Sequence, residues 1–298
     1  MKYPKVIFRE RDHSYWIGSG PIDSPDRKRG ISANKAWQTF CDPFDEDMVL
    51  SNNVMAEMVG GWKVYFGKTG SGMIKDMDQF KTIFKKYLGS EFEENKLMLK
   101  GDWEYGNMLG TEFHEVMEEK AYSDGFIVNP FDGKKYETRK IEKSYDNQSV
   151  VDDLWDLEPG AYPELVIWNE EANVIGQDDV VFIEELDGIK YIDSLDYKTN
   201  GGQSEAKGLK KRAELKRIKS GSPQMSGPLS HIKDCSYTKY QGQMSMYMCM
   251  MENAGYIFRR GGISHHINYS PEQRLIIEYP YLGKEAQLVL DHFSAKTA

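Results

Sequence analysis

The run Asn173-Val-Ile-Gly-Gln-Asp-Asp-Val-Val-Phe-Ile-Glu184 is followed, after Leu186-Asp-Gly188, by Ile189-Lys-Tyr-Ile-Asp-Ser-Leu-Asp-Tyr-Lys198. Both runs have strand length and are rich in β-branched and aromatic residues, and Asp187-Gly188 between them is a turn signal. They predict a β-hairpin. Side chains alternate along a strand, so Asp196 and Lys198 share a face, and pairing the runs brings Asp179 alongside Asp196. Asp178 and Asp179 point to opposite faces, so only one of them can join Asp196. Two carboxylates, the main-chain carbonyl of Tyr197 and a neighbouring lysine suit Mg²⁺ or Mn²⁺ and a polarised water attacking a phosphodiester. A surface ion pair is the plainer reading of an Asp-x-Lys sequence, and the preceding Gly-x-x-Asp run weighs against it.

Working outward, Pro163–Trp168 predicts a strand before the hairpin, and residues 237–253 a Met-rich amphipathic helix after it. Residues 256–258 and 263–269 add strand material, and residues 284–293 a closing helix. Upstream, Asp102 to about Tyr122 reads as a helix capped by Asp102, with Met108, Phe113, Val116 and Met117 as its broken apolar stripe. Residues 125–160 are mostly polar, with turn signals at Asn129-Pro130 and Asp132-Gly133. The order of helix, three strands, helix and strand predicts an α/β core with a mixed sheet flanked by helices. Residues 1–95 read as a mainly helical accessory region. It has a short hairpin at Val6-Ile-Phe8 and His13-Ser-Tyr-Trp-Ile17, then helices from Ala33 broken at Gly60-Gly61 and Gly70–Gly72. Residues 96–298 read as the core.

The chain has 298 residues, 40% apolar and 29% charged, as expected of a globular protein. No apolar run of about 18 residues exists, and Met1–Asp12 lacks the apolar centre of a secretory leader, so no membrane span is expected. Cys41, Cys235 and Cys249 have no paired metal-ligand spacing and read as inert thiols in a reducing, cytoplasmic setting. A net charge of -9 argues against coating nucleic acid by bulk charge. A local basic patch nevertheless follows the hairpin: Lys207, Lys210, Lys211, Arg212, Lys216, Arg217 and Lys219 stand against Glu205 and Glu214. It is either a solvated segment or a phosphate-contacting one, and its place after Lys198 favours the second.

Three further elements bear on chemistry. His114, in Gly110-Thr-Glu-Phe-His114, sits on the upstream helix, where a neutral imidazole can complete a carboxylate metal site. Glu118 lies one helical turn beyond and can support it. Glu164 opens the first strand among apolar neighbours, either as support for the site or as a solvated end. Gln243 and Tyr247 share a helix face at four-residue spacing, and both can hydrogen-bond. Met244, Met246, Met248, Met250 and Met251 are expected to fill the core.

The ordered set His114, Gly176-x-x-Asp179, Asp196-Tyr-Lys198 and Gln243-x-x-x-Tyr247 resembles the motif series of the PD-(D/E)XK nuclease superfamily, in its RecB-like exonuclease branch. Residues 228–247 are also similar to phage-borne members, as is Phe8-Arg-Glu-Arg-Asp-His-Ser-Tyr-Trp16. The resemblance covers about residues 100–270. It implies a restriction-endonuclease-like core and metal-dependent hydrolysis of DNA, usually from single- or double-stranded ends. It further implies Asp179, Asp196 and His114 as metal ligands, Lys198 as catalytic, and Gln243 and Tyr247 as shaping the site. Work in recombination, repair or replication, in a bacterial host cytoplasm and with proteins of those processes, belongs to the same implication, as does a possible homo-oligomer. Some relatives hold an iron–sulfur cluster on four cysteines; three scattered cysteines do not match, so none is expected. A structure- or site-specific endonuclease, a non-catalytic DNA-binding protein with a relict site, and a metal protein unrelated to nucleic acid are the alternatives.

Overall fold

The computed structural model describes residues 6–9, 14–19, 21, 24–70, 72–141, 143–145, 148–149, 154, 157–199, 205–267, 269–270 and 273–297. Its contacts divide the chain into two units, residues 1–42 with 112–298, and residues 43–111. No helix of the described residues is long and apolar enough to cross a membrane.

In chain order the first unit opens with β1 (Val6–Arg9), β2 (Ser14–Gly18), β3 (Arg27–Arg29), β4 (Ile31–Ser32) and α1 (Ala33–Gln38). The expected N-terminal hairpin is β1 paired antiparallel with β2, and β3 adds a third strand. This region therefore carries strands as well as helices; residues 10–13, part of the hairpin reading, lie outside the described residues.

The second unit holds α2 (Glu46–Met58), α3 (Trp62–Thr69), α4 (Met77–Phe84) and the first part of α5 (Ser90–Asp124). Asp45 and Asp76 cap α2 and α4 through the backbone N–H groups of Met48 and Gln79, at 3.0 and 2.7 Å. Met55, Tyr65, Phe80 and Phe84 form its own core. Asp102 is not a cap: α5 starts twelve residues earlier, at Ser90. Glu91 and Glu93 in its first turn complement the helix dipole, and three glycines do not stop it.

The first unit continues with β5 (Phe126–Val128), β6 (Lys135–Glu137), β7 (Lys143–Tyr145), β8 (Gln148–Ser149), β9 (Gly160–Asn169), β10 (Val174–Leu186) and β11 (Ile189–Thr199). It closes with α6 (Glu205–Leu215), α7 (Ser236–Asn253), β12 (Ile257–His266), β13 (Arg274–Glu278) and α8 (Gly283–Thr297). The polar span before Gly160, read only as turns, thus contains short strand pairs, and the two expected strand pieces after α7 are one strand. The main sheet is mixed. β10 pairs antiparallel with β9 and β11, β11 pairs parallel with β12, β12 antiparallel with β13, and β4 parallel with β10. Helices flank it: α1, α7 and α8 pack one face, and Phe113 of α5 packs the other. The expected α/β fold with a central mixed sheet is the one observed.

Two features of this sheet create the site. β9 pairs β10 from Val174 to Ile183, so β4 and β11 must share the opposite edge of β10. β4 reaches only Ile175 and β11 only Val180, which leaves Gly176–Asp179 unpaired on that edge. The facing of β10 also inverts at this gap. Val174, Val181 and Ile183 pack towards α7, whereas Val180 and Phe182 pack towards α5. Strict alternation would group Val174 with Val180. On β9, Tyr162 and Leu165, three residues apart, both pack towards α7. The register is unchanged across the inversion, Asp178 opposite Leu165 and Val180 opposite Pro163. The two irregularities therefore match, with Asp179 and Glu164 facing each other within them.

Candidate metal centre

Glu164 carries the backbone signature of that irregularity: its φ is +50°. A non-glycine residue held there costs about 1–3 kcal/mol, and such strain concentrates at functional sites. The result is that Glu164 and Asp179 converge on His114 of α5. His114 Nδ1 lies 3.3 Å from Asp179 Oδ1 and 3.7 Å from Glu164 Oε1. One ligand atom from each of the three residues lies within 4.8 Å of the others. Oxygen ligands of Mg²⁺ stand about 2.0–2.1 Å from the ion, so trans ligands are about 4.2 Å apart. A contraction of this triangle brings its donors onto one divalent cation; the two carboxylates are ligands that Mg²⁺ and Mn²⁺ take, and the imidazole is a donor shared with Fe²⁺ and Zn²⁺.

The electrostatics match a site awaiting positive charge. Burial opposes the charge on His114, but hydrogen bonds to Asp179 and Glu164 outweigh it and hold its pKa up at about 10. Burial raises Glu164 to about 7, against the pull of His114 and with the help of Asp179. Glu118 adds to that rise through its charge; burial, then the charges of Glu118 and Glu164, lift Tyr122 to about 12. Asp179 is fixed on its other side, because Oδ2 accepts the backbone N–H of Tyr197 across the gap. The ring of Tyr197 is buried and edge-on to Phe113 and His114.

Asp196 lies next to this triangle and is not one of its three members. The β10–β11 register, extended one residue past Val180–Leu195, sets it across from Asp179. Its Oδ1 accepts from Gln243 Nε2 at 3.1 Å, and its Oδ2 pairs with the Lys198 ammonium. Burial lifts Asp196 to about 6, opposed by Lys198 and reinforced by Asp179. Burial would strip the proton from Lys198, but the charges of Asp196 and Asp179 overcome it and hold its pKa above the ordinary lysine value. The Lys198 ammonium also lies 5.6 Å from the Tyr240 ring centroid. Gln243 donates in addition to the Tyr247 hydroxyl at 3.0 Å. Asp178 is wholly buried on the other side of the strand, bonded by Ser194, and burial pushes its pKa well up.

The sequence requirements are steric as well as polar. A Cβ on Gly176 would lie 2.2 Å from Tyr247 Cε1, and one on Gly242 would lie 2.0 Å from Trp37 Cε2. Glycine at 176 lets α7 sit close to β10, and glycine at 242 lets it sit close to α1. The five methionines of α7 are all buried, as expected.

The basic segment is only partly free. Arg212 donates through Nε to His265 Nδ1 at 3.1 Å and through its terminal nitrogen to the carbonyls of His265 and Gln273. His265 pairs in register with Lys198, so this contact docks α6 at the Lys198 end of the sheet. Lys210, Lys216, Arg217 and Lys219 are exposed and Lys211 half-buried. The side chain of Lys207 lies outside the described residues.

Gln177 and Tyr15 are not among the site residues expected from the sequence. Gln177 Nε2 donates to Glu164 Oε2 at 2.8 Å, and the Tyr15 hydroxyl donates to Gln177 Oε1 at 2.5 Å. Both line a cavity of about 750 Å³ with Arg29, Ser32, Lys35 and Tyr247. Gln177 is inside the Gly-x-x-Asp motif and was within reach of a sequence argument. Nothing in sequence ties Tyr15 to it.

Comparison with solved structures finds LHK-Exo, an alkaline exonuclease from Laribacter hongkongensis, at 10% identity and a TM-score of 0.35, over 90% of this chain and 87% of that one. It also finds SSO0001, at 12% identity and a TM-score of 0.25, over 89% of this chain and 84% of that one. No protein-family model and no curated protein sequence matches the chain. Both structural likenesses are slight.

Proposed function

We propose that this chain is a divalent-metal-dependent nuclease that hydrolyses DNA phosphodiester bonds, working from ends as an exonuclease. The observation that carries this reading is the convergence of His114, Glu164 and Asp179 beside the Asp196–Lys198 pair. Mg²⁺ or Mn²⁺ bound there supplies Lewis-acid polarisation of a phosphoryl oxygen and of water.

The chain's own groups do the rest. Asp179 is held by Tyr197 and by His114, so its free geometry is small. Asp196 keeps Lys198 protonated, and an ammonium works as a donor and counter-charge rather than as a base. Lys198 thus offsets the negative charge that builds on the non-bridging and leaving oxygens as the P–O bond breaks, and as a donor it can protonate the leaving oxygen while the attacking water gives its own proton to solvent. Gln243 and Tyr247 hold the Asp196 carboxylate in its rotamer. Arg29 and Lys35 give the adjoining cavity a positive wall, and the exposed Lys210, Lys216, Arg217 and Lys219 of the basic segment would add a salt-dependent contribution to strand affinity.

The test is incubation with end-labelled single- and double-stranded DNA in Mg²⁺, Mn²⁺ or chelator, beside Asp179→Ala. Degradation by the wild type in metal alone, lost in the variant, is the expected result. Digestion that persists in Asp179→Ala would show the site to be elsewhere. Covalently closed circular DNA distinguishes end-dependent action, which leaves it intact, from an endonuclease, which nicks it.

A further inference from the structure

Glu164 divides its two oxygens between different tasks. Oε1 faces His114, and Oε2 accepts the Gln177 amide N–H at 2.8 Å. The Gln177 amide is itself fixed by the Tyr15 hydroxyl, which donates to Oε1 at 2.5 Å. The ionised Glu164 carboxylate can only accept, so it turns the Gln177 NH₂ towards itself, and the amide oxygen that this leaves on the other side is held by the Tyr15 hydroxyl. Every hydrogen bond then runs in one direction, from Tyr15 through Gln177 to Glu164, and stabilises the ionised carboxylate that a cation needs. We infer that Gln177 and Tyr15 are positioning residues that aim Glu164 at the metal, so that the N-terminal strand β2 is tied to the metal centre. The inference rests on the reading of His114, Glu164 and Asp179 as that centre.

The need for such support follows from the strained backbone of Glu164. With φ at +50° in a matched strand irregularity, the residue lacks the regular ladder that would otherwise hold it. Its carboxylate direction therefore depends on side-chain partners. Groups bonded to a metal's ligands typically change metal affinity by about 10–100-fold when removed.

The test uses the full chain, Mn²⁺ alone as probe, and isothermal titration calorimetry with the Mn²⁺-induced rise in melting temperature as readouts. Gln177→Met keeps the size of the side chain and removes the amide; Tyr15→Phe removes one oxygen. Both are expected to weaken Mn²⁺ binding, Gln177→Met by about 10–100-fold. The double variant is expected to be no weaker than Gln177→Met, because Tyr15 acts through Gln177. A merely structural role would lower the metal-free melting temperature and leave Mn²⁺ affinity alone. Affinity within twofold of wild type in both variants overturns the inference, as does full additivity in the double variant. Should Gln177→Met fail to fold, Tyr15→Phe decides by itself. Asp179→Asn separates the two levels: if it binds Mn²⁺ like the wild type, the metal centre itself is misassigned and this inference falls with it. If Asp179→Asn abolishes binding while the other two variants bind normally, only this inference falls.

Discussion

On the proposed reading, a cation entering the triangle displaces protons, and the raised pKa values of His114 and Glu164 set how many. In the metal-free site His114 is held at about 10 and Glu164 at about 7. A cation needs the Nδ1 lone pair and an ionised Glu164. Binding therefore releases about two protons at pH 6 and about one at pH 8. Protons compete with the metal, so affinity rises with pH. From pH 6 to 8 the imidazole contributes about two decades and Glu164 about one more, which makes Mn²⁺ binding about a thousandfold tighter, or about 4 kcal/mol. The gain continues at one decade per unit until about pH 10, where His114 is neutral without help. The assay is calorimetric titration with Mn²⁺ in buffers of different ionisation enthalpy, which counts released protons directly. His114→Ala should remove one proton from the count at each pH. An affinity that changes less than threefold across this range, with no buffer dependence, would refute the assignment of His114 and Glu164 as ligands.

Other expected outcomes follow from the same geometry. In chelator, His114 contributes stability that is complete below its unfolded pKa near 6.5 and is lost as pH rises towards 10. The urea-unfolding free energy should therefore fall by about 2 kcal/mol between pH 7 and 9, and His114→Gln should flatten that slope. Lys198→Met should lower DNA cleavage by about 10²–10⁴-fold yet leave Mn²⁺ affinity within threefold, because Lys198 is outside the triangle; a large loss of metal affinity would contradict this division of roles. Gly242→Ala and Gly176→Ala should each cost about 1–3 kcal/mol in chemical denaturation, since their Cβ atoms would collide with Trp37 and Tyr247. Replacing Lys216, Arg217 and Lys219 by serine should reduce the slope of log affinity against log salt for duplex DNA by up to about 3; an unchanged slope would remove them from the interface.

Much of the sheet was legible because its signals are local. The strand-length runs 173–184 and 189–198, rich in β-branched and aromatic residues, and the Asp187-Gly188 turn specify the β10–β11 hairpin without reference to the rest of the chain. The Asp187 φ of +52° and the Gly188 φ of +77° are the values such a two-residue turn requires. The buried methionines of α7 were readable in the same way. The start of α5 was not. Asp102 has the chemistry of a cap, but no cap is needed where tertiary contacts and good helix formers carry the helix through it. The short strands before Gly160 escaped notice because each is two or three residues long, with Tyr136 the buried residue of β6.

The site shows a deeper limit of pattern reading. Strict alternation places Asp179 on the same face as Val181 and Ile183, towards α7, and so away from His114 on α5. A sheet that obeyed the rule throughout would keep the imidazole and this carboxylate on opposite sides. They meet because β9 and β10 break alternation together, at Glu164 and Asp179, without changing register. Glu164 records the break in a positive φ, and a glutamate in an apolar run gives no sequence warning of one. The gap between β4 and β11 then exposes the broken stretch, and the Tyr197 N–H bonds Asp179 across it. This arrangement explains why Glu164, at first only a possible support, ends as a full member of the triangle. Asp196, the expected ligand, ends beside it in the grip of Lys198 and Gln243. Matched irregularities on neighbouring strands carry both the strain and the chemistry, so relieving the strain, as Glu164→Gly would, should leave the hairpin folded and the triangle without one of its two carboxylate donors.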